Sequence, residues 1–211
     1  RVPDDPERDA DVVKLYELLG NGETTGVFQV EGAGMRRTLR EMRPTQFQHI
    51  AAAIALYRPG PIENIPEYIR RLHGEEVIQY HHPLLESILD DTFGIIVYQE
   101  QIMQIAGAMA GYKPGEADMI RKAVAKKKTK QMEAHQVKYR EGAAKKGISE
   151  EIADKVWGDI EYFARYGFNR AHAVDYAVIT GQTAYLKAHY PLEFMTALMT
   201  TECHSVEKLG T

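Results

Sequence analysis

The residues best suited to binding phosphate lie in one lysine- and arginine-rich stretch, whose centre is ADMIRKAVAKKK at residues 117–128. Arg121 and Lys128 are seven residues apart, close to two helical turns, so both can line one groove. Basic side chains in such a row pair with several phosphates and release the bound counterions. The stretch therefore predicts a phosphate-binding surface, and the alternative is a helix face that is only solvated.

A second candidate is the segment Tyr166-Gly167-Phe168-Asn169-Arg170-Ala171-His172. The segment is a glycine-containing break between two predicted helices, and it exposes polar and aromatic side chains near a helix start. Unpaired N–H groups at a helix start favour anions. Stacking on Tyr166, hydrogen bonding by Asn169 and phosphate pairing by Arg170 would together suit a nucleotide. The alternative is an interhelical turn whose rings only pack against the protein.

Other polar clusters do not predict a metal site. The neighbouring pairs His81-His82 and Asp90-Asp91 lack a third ligand at helical spacing. Asp9 and Asp11 lie in a predicted helix, where residues i and i+2 diverge by about 200°, so their carboxylates would not converge on one ion. We therefore expect no metal ion to be held by this chain.

Charge is distributed unevenly along the sequence. The chain has a net charge of −4, but residues 113–146 hold eleven basic and four acidic side chains. An acidic body with one strongly basic helical stretch indicates a surface that faces phosphates.

Composition excludes several classes of protein. The 211 residues are 44% hydrophobic and 27% charged, which is ordinary for a globular protein, and no apolar run reaches the roughly 18 residues of a membrane helix. The single cysteine, Cys203, excludes an internal disulfide framework and fits a reducing cytoplasm. The chain begins at Arg1 with neither an initiator Met nor a signal-type segment, as expected for a piece of a longer protein.

Hydrophobic periodicity predicts a mainly α, multi-helical fold with at most a few very short strands. The strand candidates are Val27–Val30 and Gly94–Tyr98, and the latter is equally consistent with the lead-in to a helix. Met103, Met109 and Met119 lie at helical spacing and are predicted core residues. The predicted helices are Asp9 to Leu19, Met35 to Met42, one ending at Leu56, Glu63 to His73, Pro83 to Asp90, Gln99 to Met109, Glu116 to Lys126, Thr129 to Lys145, one capped by Ser149 and ending near Phe163, and Ala171 to His189.

Six segments together resemble the C-family bacterial replicative polymerases, in the fingers region of the DNA polymerase III alpha subunit. The resemblance covers about residues 10–200, and the segments stand in the family's order. They are TGVFQVE at 25–31, RPGP at 58–61, GIIVYQEQ at 94–101, ADMIRK at 117–122 followed by KKK at 126–128, YGFNRAH at 166–172, and LKAHYP at 186–191.

The resemblance implies a role for each matched residue. Arg121 is similar to the family's triphosphate-contacting arginine, and Lys122 is its neighbour. The loop residues Tyr166, Asn169, Arg170 and His172 would lie against the sugar and phosphates of the incoming nucleotide. Position 170 is more often lysine in the family, which leaves the contact geometry of arginine open. Lys126, Lys127, Lys128 and Arg58 would approach the DNA backbone.

The resemblance also implies a division of the chain and a set of partners. Residues 1–24 would lead in from the palm, 25–200 would form the fingers with basic helices at about 113–146 and a nucleotide loop at 165–172, and 201–211 would be a tail. The expected partners are the DNA primer-template, deoxynucleoside triphosphates, the remaining polymerase domains and replisome subunits, with no membrane. The family's Mg²⁺ belongs to the palm, whose aspartates precede this chain, so we expect this segment alone to be inactive.

Two other functions remain open from the sequence. A freestanding helical nucleic-acid-binding module would use the basic stretch alone and ignore nucleotide. A helical protein-binding scaffold would leave the lysines solvated and have no affinity for DNA.

Overall fold

The structure, a computed structural model, describes residues 10–125 and 129–203. Within these ranges most of the chain is helical, so the predicted mainly α class is confirmed. Short 3-10 helices cover Pro61–Asn64, Pro83–Leu85 and Asp90–Thr92. The α-helices are α1 Ala10–Gly20, α2 Ala33–Met42, α3 Phe47–Leu56, α4 Ile65–Leu72, α5 Glu86–Leu89, α6 Gln99–Ala110, α7 Pro114–Ala125, α8 Thr129–Lys145, α9 Glu150–Ala164, α10 Arg170–His189 and α11 Pro191–Thr201.

The chain divides into two compact units. The first consists of the residues up to Ile54 and those from Ala173 onward, and the second runs from Ala55 to His172. The boundaries fall inside α3 and α10. The predicted division into a lead-in, a fingers domain and a tail stays a prediction, and residues 1–9 and 204–211 lie outside the described ranges.

The second unit is built on one apolar core shared by α6, α7, α8 and α9. Ile105 on α6, Ile120 on α7, Tyr139 on α8 and Trp157 on α9 are all at most 2% exposed and belong to one cluster. The rings of Tyr139 and Trp157 lie 5.3 Å apart. Burial of four large side chains at one centre fixes the described parts of the basic helices α7 and α8 on this core.

The structure corrects one prediction about an individual residue. Met119 is 47% exposed and not in the core, because the inner face of α7 is made by Ala117, Ile120 and Ala123. Met109 is fully buried as predicted. Sequence reasoning did not predict α11, which begins at Pro191, since proline is well tolerated in the first helical turn.

The predicted strand at Val27–Val30 is wrong, because these residues form consecutive turns. Val27 and Val30 are both fully buried, a spacing of three that a strand cannot place on one face. The hydroxyl of Thr24 closes the turn by donating to the carbonyl oxygen of Val30 at 2.6 Å. Positive φ angles at Gly26 (74°) and Gln29 (63°) reverse the chain, which no strand allows.

The turn docks on α10 within the first unit. The backbone N–H of Phe28 donates to Thr183 Oγ1 at 3.2 Å, and Thr180 Oγ1 donates to the carbonyl oxygen of Phe28 at 3.1 Å. The Phe28 ring lies 5.3 Å from that of Tyr176. The TGVFQVE segment therefore serves as a fixed packing element.

We expect Gly142→Ala to destabilise the fold. A β-carbon at Gly142, on α8, would overlap the carbonyl group of Ala110, at the end of α6. The free energy of unfolding should fall by about 1–3 kcal/mol, measured by urea denaturation of the chain. Gly158→Ala on α9 is the matched control, because its β-carbon meets no atom within 4 Å and should add up to about 1 kcal/mol through helix propensity. Equal effects of the two substitutions would contradict the predicted close contact between α6 and α8.

Candidate nucleotide-binding site

The cations of α7 form a group around one carboxylate. Arg121 donates from Nε and Nη2 to Asp118 Oδ1 at 2.9 and 2.8 Å, while Lys122 Nζ lies 2.6 Å from Asp118 Oδ2. Hydrogen bonds from Lys122 and Arg121 hold the pKa of Asp118 below its usual range. Asp118 therefore stays charged and orients both cations at spacings of three and four residues.

These cations face solvent while the opposite side of α7 faces the core. The side chains of Arg121 and Lys122 are 30% and 51% exposed. The buried side of α7 holds its backbone in place. An anionic ligand can therefore reach these cations without any rearrangement of the backbone. The remaining predicted DNA contacts on this stretch, Lys126, Lys127 and Lys128, lie outside the described residues.

The loop at 166–168 is held by the segment that precedes α6. Phe168 and Tyr98 form a parallel β-bridge, in which Gln99 N donates to the Phe168 carbonyl oxygen at 2.9 Å and Phe168 N donates to that of Val97 at 3.3 Å. The side-chain amide of Gln99 donates to the Gly167 carbonyl oxygen at 2.8 Å. The Gly94–Tyr98 segment is thus a buried lead-in to α6. It forms this isolated β-bridge and not a strand.

The lead-in is itself fixed by Gln101, which is fully buried. Its Oε1 accepts from the backbone N–H groups of Val97 and Tyr98 at 2.9 and 3.0 Å. Its Nε2 donates to Thr92 Oγ1 at 2.8 Å. A satisfied buried amide of this kind gives the loop a rigid support.

The carboxylate of Glu100, a residue of α6, lies at the N-terminus of α10. Its carboxylate accepts from Asn169 Nδ2 at 2.9 Å and from the backbone N–H of Arg170 at 3.0 Å. Asn169 Oδ1 in turn accepts from His172 N at 2.9 Å, which caps the helix. The helix start predicted to attract an anion is therefore already occupied by a carboxylate of the protein.

Arg170 is paired within the protein as well. Its Nη2 forms an ion pair with Asp91, and its guanidinium carbon lies 5.2 Å from the centre of the Tyr98 ring. The Arg170 and Asp91 side chains are 40% and 35% exposed, so a ligand in solvent can reach the pair.

Arg58 supports the loop from its other side. Its Nη2 donates to the Tyr166 carbonyl oxygen at 2.7 Å, its Nε donates to that of Ala55 at 2.9 Å, and its guanidinium lies 4.3 Å from the centre of the Phe168 ring. These contacts position the loop. The DNA contact assigned to Arg58 stays a prediction.

The two rings predicted to face the nucleotide are exposed. Tyr166 is 38% exposed, and its ring packs against the backbone of Gly60, where a β-carbon would come within 2.7 Å of it. Gly60 has φ of 97°, so only glycine fits this contact without strain. The exposed His172 has its ring 5.4 Å from that of Phe168.

The structure thus brings Arg58, Tyr166, Asn169, Arg170 and His172 together around one loop and sets Arg121 and Lys122 around Asp118 on α7. Sequence reasoning missed the groups that hold them, namely Gln99, Glu100, Asp91 and Asp118. The Asp118 pairing had a local signal, since an acid three and four residues before two cations is a helix ion-pair pattern.

The histidine and aspartate pairs have other partners. His82 Nδ1 accepts from Leu84 N at 3.2 Å, and His81 Nε2 lies 3.4 Å from Asp159 Oδ2. Among residues 10–125 and 129–203, no three His, Cys, Asp or Glu side chains are grouped so as to hold a metal ion. Over the same part of the chain, no helix is both long and apolar enough to span a bilayer.

The family model of the bacterial DNA polymerase III alpha subunit finger domain matches residues 6–147. The chain therefore belongs to this finger-domain family, which confirms the resemblance in its sequence.

Relatives extend the match over the loop at 166–172. The DNA polymerase III subunit alpha of Thermus aquaticus is 48% identical over 100% of this chain and 17% of its own length. Those of Chlamydia pneumoniae and Bacillus subtilis (strain 168) are 49% and 51% identical, over 95% and 93% of this chain. The chain spans 16% and 18% of the lengths of these last two relatives.

Proposed function

We propose that this chain is the part of a DNA-directed DNA polymerase that binds the incoming deoxynucleoside triphosphate and the backbone of the primer-template. Arg121, Lys122 and Arg170 would contact the triphosphate, while Tyr166, Asn169 and His172 shape the sugar end of the site. The observation that best supports this proposal is the pre-organised loop, in which Tyr166, Gly167, Phe168, Asn169 and Arg170 all have a hydrogen-bond partner in Arg58 or residues 97–100.

The carboxylates beside the cations would act as exchangeable partners. Asp118 orients Arg121 and Lys122, and Asp91 orients Arg170. A triphosphate carries more charge than one carboxylate and offers more acceptor oxygens, so it would compete for the same donors. Held cations of this kind stabilise the charge that develops during phosphoryl transfer without moving far.

The chain's share of the reaction is positioning and electrostatic stabilisation. We propose, as the resemblance implies, that the metal-dependent step belongs to residues of the polymerase outside this chain. We accordingly expect the isolated chain to support no template-directed primer extension.

A salt titration of DNA binding tests the DNA-contacting role and separates the alternatives. In a polymerase that carries this chain, changing Lys126, Lys127 and Lys128 together to Ala should flatten the log–log salt dependence by about 0.9 for each duplex phosphate that these lysines neutralise. Lys155→Ala is the control, because that lysine pairs with Glu151 on α9. An unchanged slope in the triple variant would mean that the three lysines do not touch DNA.

Two measurements of DNA binding separate the other two functions from the proposed one. A protein-binding scaffold would show no DNA affinity at low salt. A freestanding module would bind DNA equally well with and without the correct deoxynucleotide, even within the polymerase. The proposed function requires that the correct nucleotide strengthen the complex of polymerase and primer-template.

We expect Glu100→Ala to raise the KM for nucleotide. The substitution removes the acceptor of Asn169 Nδ2 and of the Arg170 N–H, so both loop residues lose their fixed position. Each hydrogen bond to a charged group contributes about 1.5–3 kcal/mol, so the loss of both should raise the KM for nucleotide tenfold or more. Steady-state single-nucleotide incorporation measures it, with Glu161→Ala on α9 as the control. A KM that stays at its wild-type value would show that the loop does not need this anchor.

A further inference from the structure

A cavity of about 460 Å³ opens between α4, α6 and α9 in the second unit. Its floor is apolar and belongs to the core, since Leu85, Ile105 and Val156 are each at most 3% exposed. This volume falls within the range of about 300–1,000 Å³ that small-molecule sites occupy.

The rim of the cavity carries two carboxylates, those of Glu67 and Asp159, and Glu67 is already paired with Arg71. Arg71 lines the cavity, but it is engaged by Glu67, by Glu76 Oε1 at 3.0 Å and by the Phe93 carbonyl oxygen at 3.1 Å. Asp159 has His81 Nε2 at 3.4 Å, a long contact. Burial raises the pKa of the Asp159 carboxyl, since desolvation disfavours its charged form.

We propose that this cavity is a binding site for a small organic cation with an aromatic body, of the aryl amidine class. The amidinium would form a charge-assisted hydrogen-bonded pair with Asp159, and the ring would cover Leu85, Ile105 and Val156. A cation compensates the half-buried carboxylate, and the ligand's own aromatic ring leaves water when it packs on the apolar floor, so both parts of the ligand contribute.

The site adjoins the residues that support the nucleotide loop. Tyr162 and Phe163 line the cavity. The carbonyl oxygen of Phe163 also accepts from Tyr166 N at 3.0 Å and Gly167 N at 2.6 Å, and the ring of Tyr162 lies 6.0 Å from that of Tyr166. A ligand in the cavity would therefore contact the base of this loop, although its binding does not depend on the proposed function.

Benzamidine is the probe, and saturation-transfer NMR with the intact polymerase that carries this chain is the measurement. We expect wild-type protein to bind benzamidine and Asp159→Asn to bind it about tenfold or more weakly, because the substitution removes the charge at constant size. Glu161→Gln on the same helix is the matched control, since its carboxylate is 45% exposed against 46% for Asp159 and should leave binding unchanged. Neutral benzamide should bind wild-type protein as weakly as benzamidine binds the Asp159→Asn variant.

Three results would overturn the proposal. They are no benzamidine signal from wild-type protein at millimolar concentration, equal binding by wild-type and Asp159→Asn proteins, and benzamide binding as tightly as benzamidine. Nucleotide incorporation by the Asp159→Asn variant reports that it is folded, so weaker binding reflects the missing charge.

Discussion

Arg121→Ala, in a polymerase that carries this chain, should lower kcat/KM for all four deoxynucleotides by about 30- to 900-fold, or roughly 2–4 kcal/mol of transition-state stabilisation. Arg121 is a partly exposed cation on the outer face of a helix whose inner face is fixed in the core. Alanine at this position cannot pair with the triphosphate, an interaction that should tighten as charge shifts during transfer. Single-turnover incorporation of each nucleotide measures the effect.

The four nucleotides should respond alike because they carry the same triphosphate. Asp118→Asn is the matched control, since it removes the carboxylate that orients Arg121 and Lys122 but keeps both cations. We expect it not to lower kcat/KM, because in the proposed exchange Asp118 competes with the triphosphate for both cations. An effect confined to one base would show that Arg121 contacts a base, and an equally large effect in Asp118→Asn would show that the ion pair itself is what matters.

Arg170→Ala should lower kcat/KM by about 10- to 150-fold, the value of a charge-assisted hydrogen bond of roughly 1.5–3 kcal/mol. Arg170→Lys keeps the charge and should cost only a few-fold. Purified variants compared over a nucleotide titration give both kcat and KM.

Asp91→Asn tests whether Arg170 leaves its partner for the nucleotide. The wild-type ion pair must weaken before Arg170 binds a phosphate, so removing the carboxylate should lower the KM for nucleotide. If Asp91 instead only holds Arg170 in place, the same variant raises the KM. A higher KM in Asp91→Asn would therefore contradict the proposed exchange of Asp91 for a phosphate. The contact between Arg170 and the phosphate would still be tested by Arg170→Ala.

Much of the fold followed from the sequence because its helices carry local signals. Ser149 accepts from Ile152 N and caps α9 as predicted, and α8 has its predicted bounds of Thr129 and Lys145. The turn at Val27–Val30 was missed because a short run of apolar residues fits a strand equally well until the positive φ of Gln29 is known.

The partners of the site residues were mostly beyond sequence reasoning. Asp91 and Arg170 are 79 residues apart, and Glu100 and Asn169 are 69 apart, so only the folded chain brings them together. For Arg58, the sequence shows only that the side chain is a cation. Its contact with the carbonyl oxygen of Tyr166 depends on the packing of a loop 108 residues away.

The most direct test of the central claim is a cryo-EM structure of the polymerase that carries this chain, with primer-template and a non-hydrolysable incoming deoxynucleotide. We predict that the guanidinium groups of Arg121 and Arg170 lie about 2.7–3.1 Å from triphosphate oxygens and no longer pair fully with Asp118 and Asp91. A nucleotide bound elsewhere, with both arginines still on their carboxylates, would contradict the account.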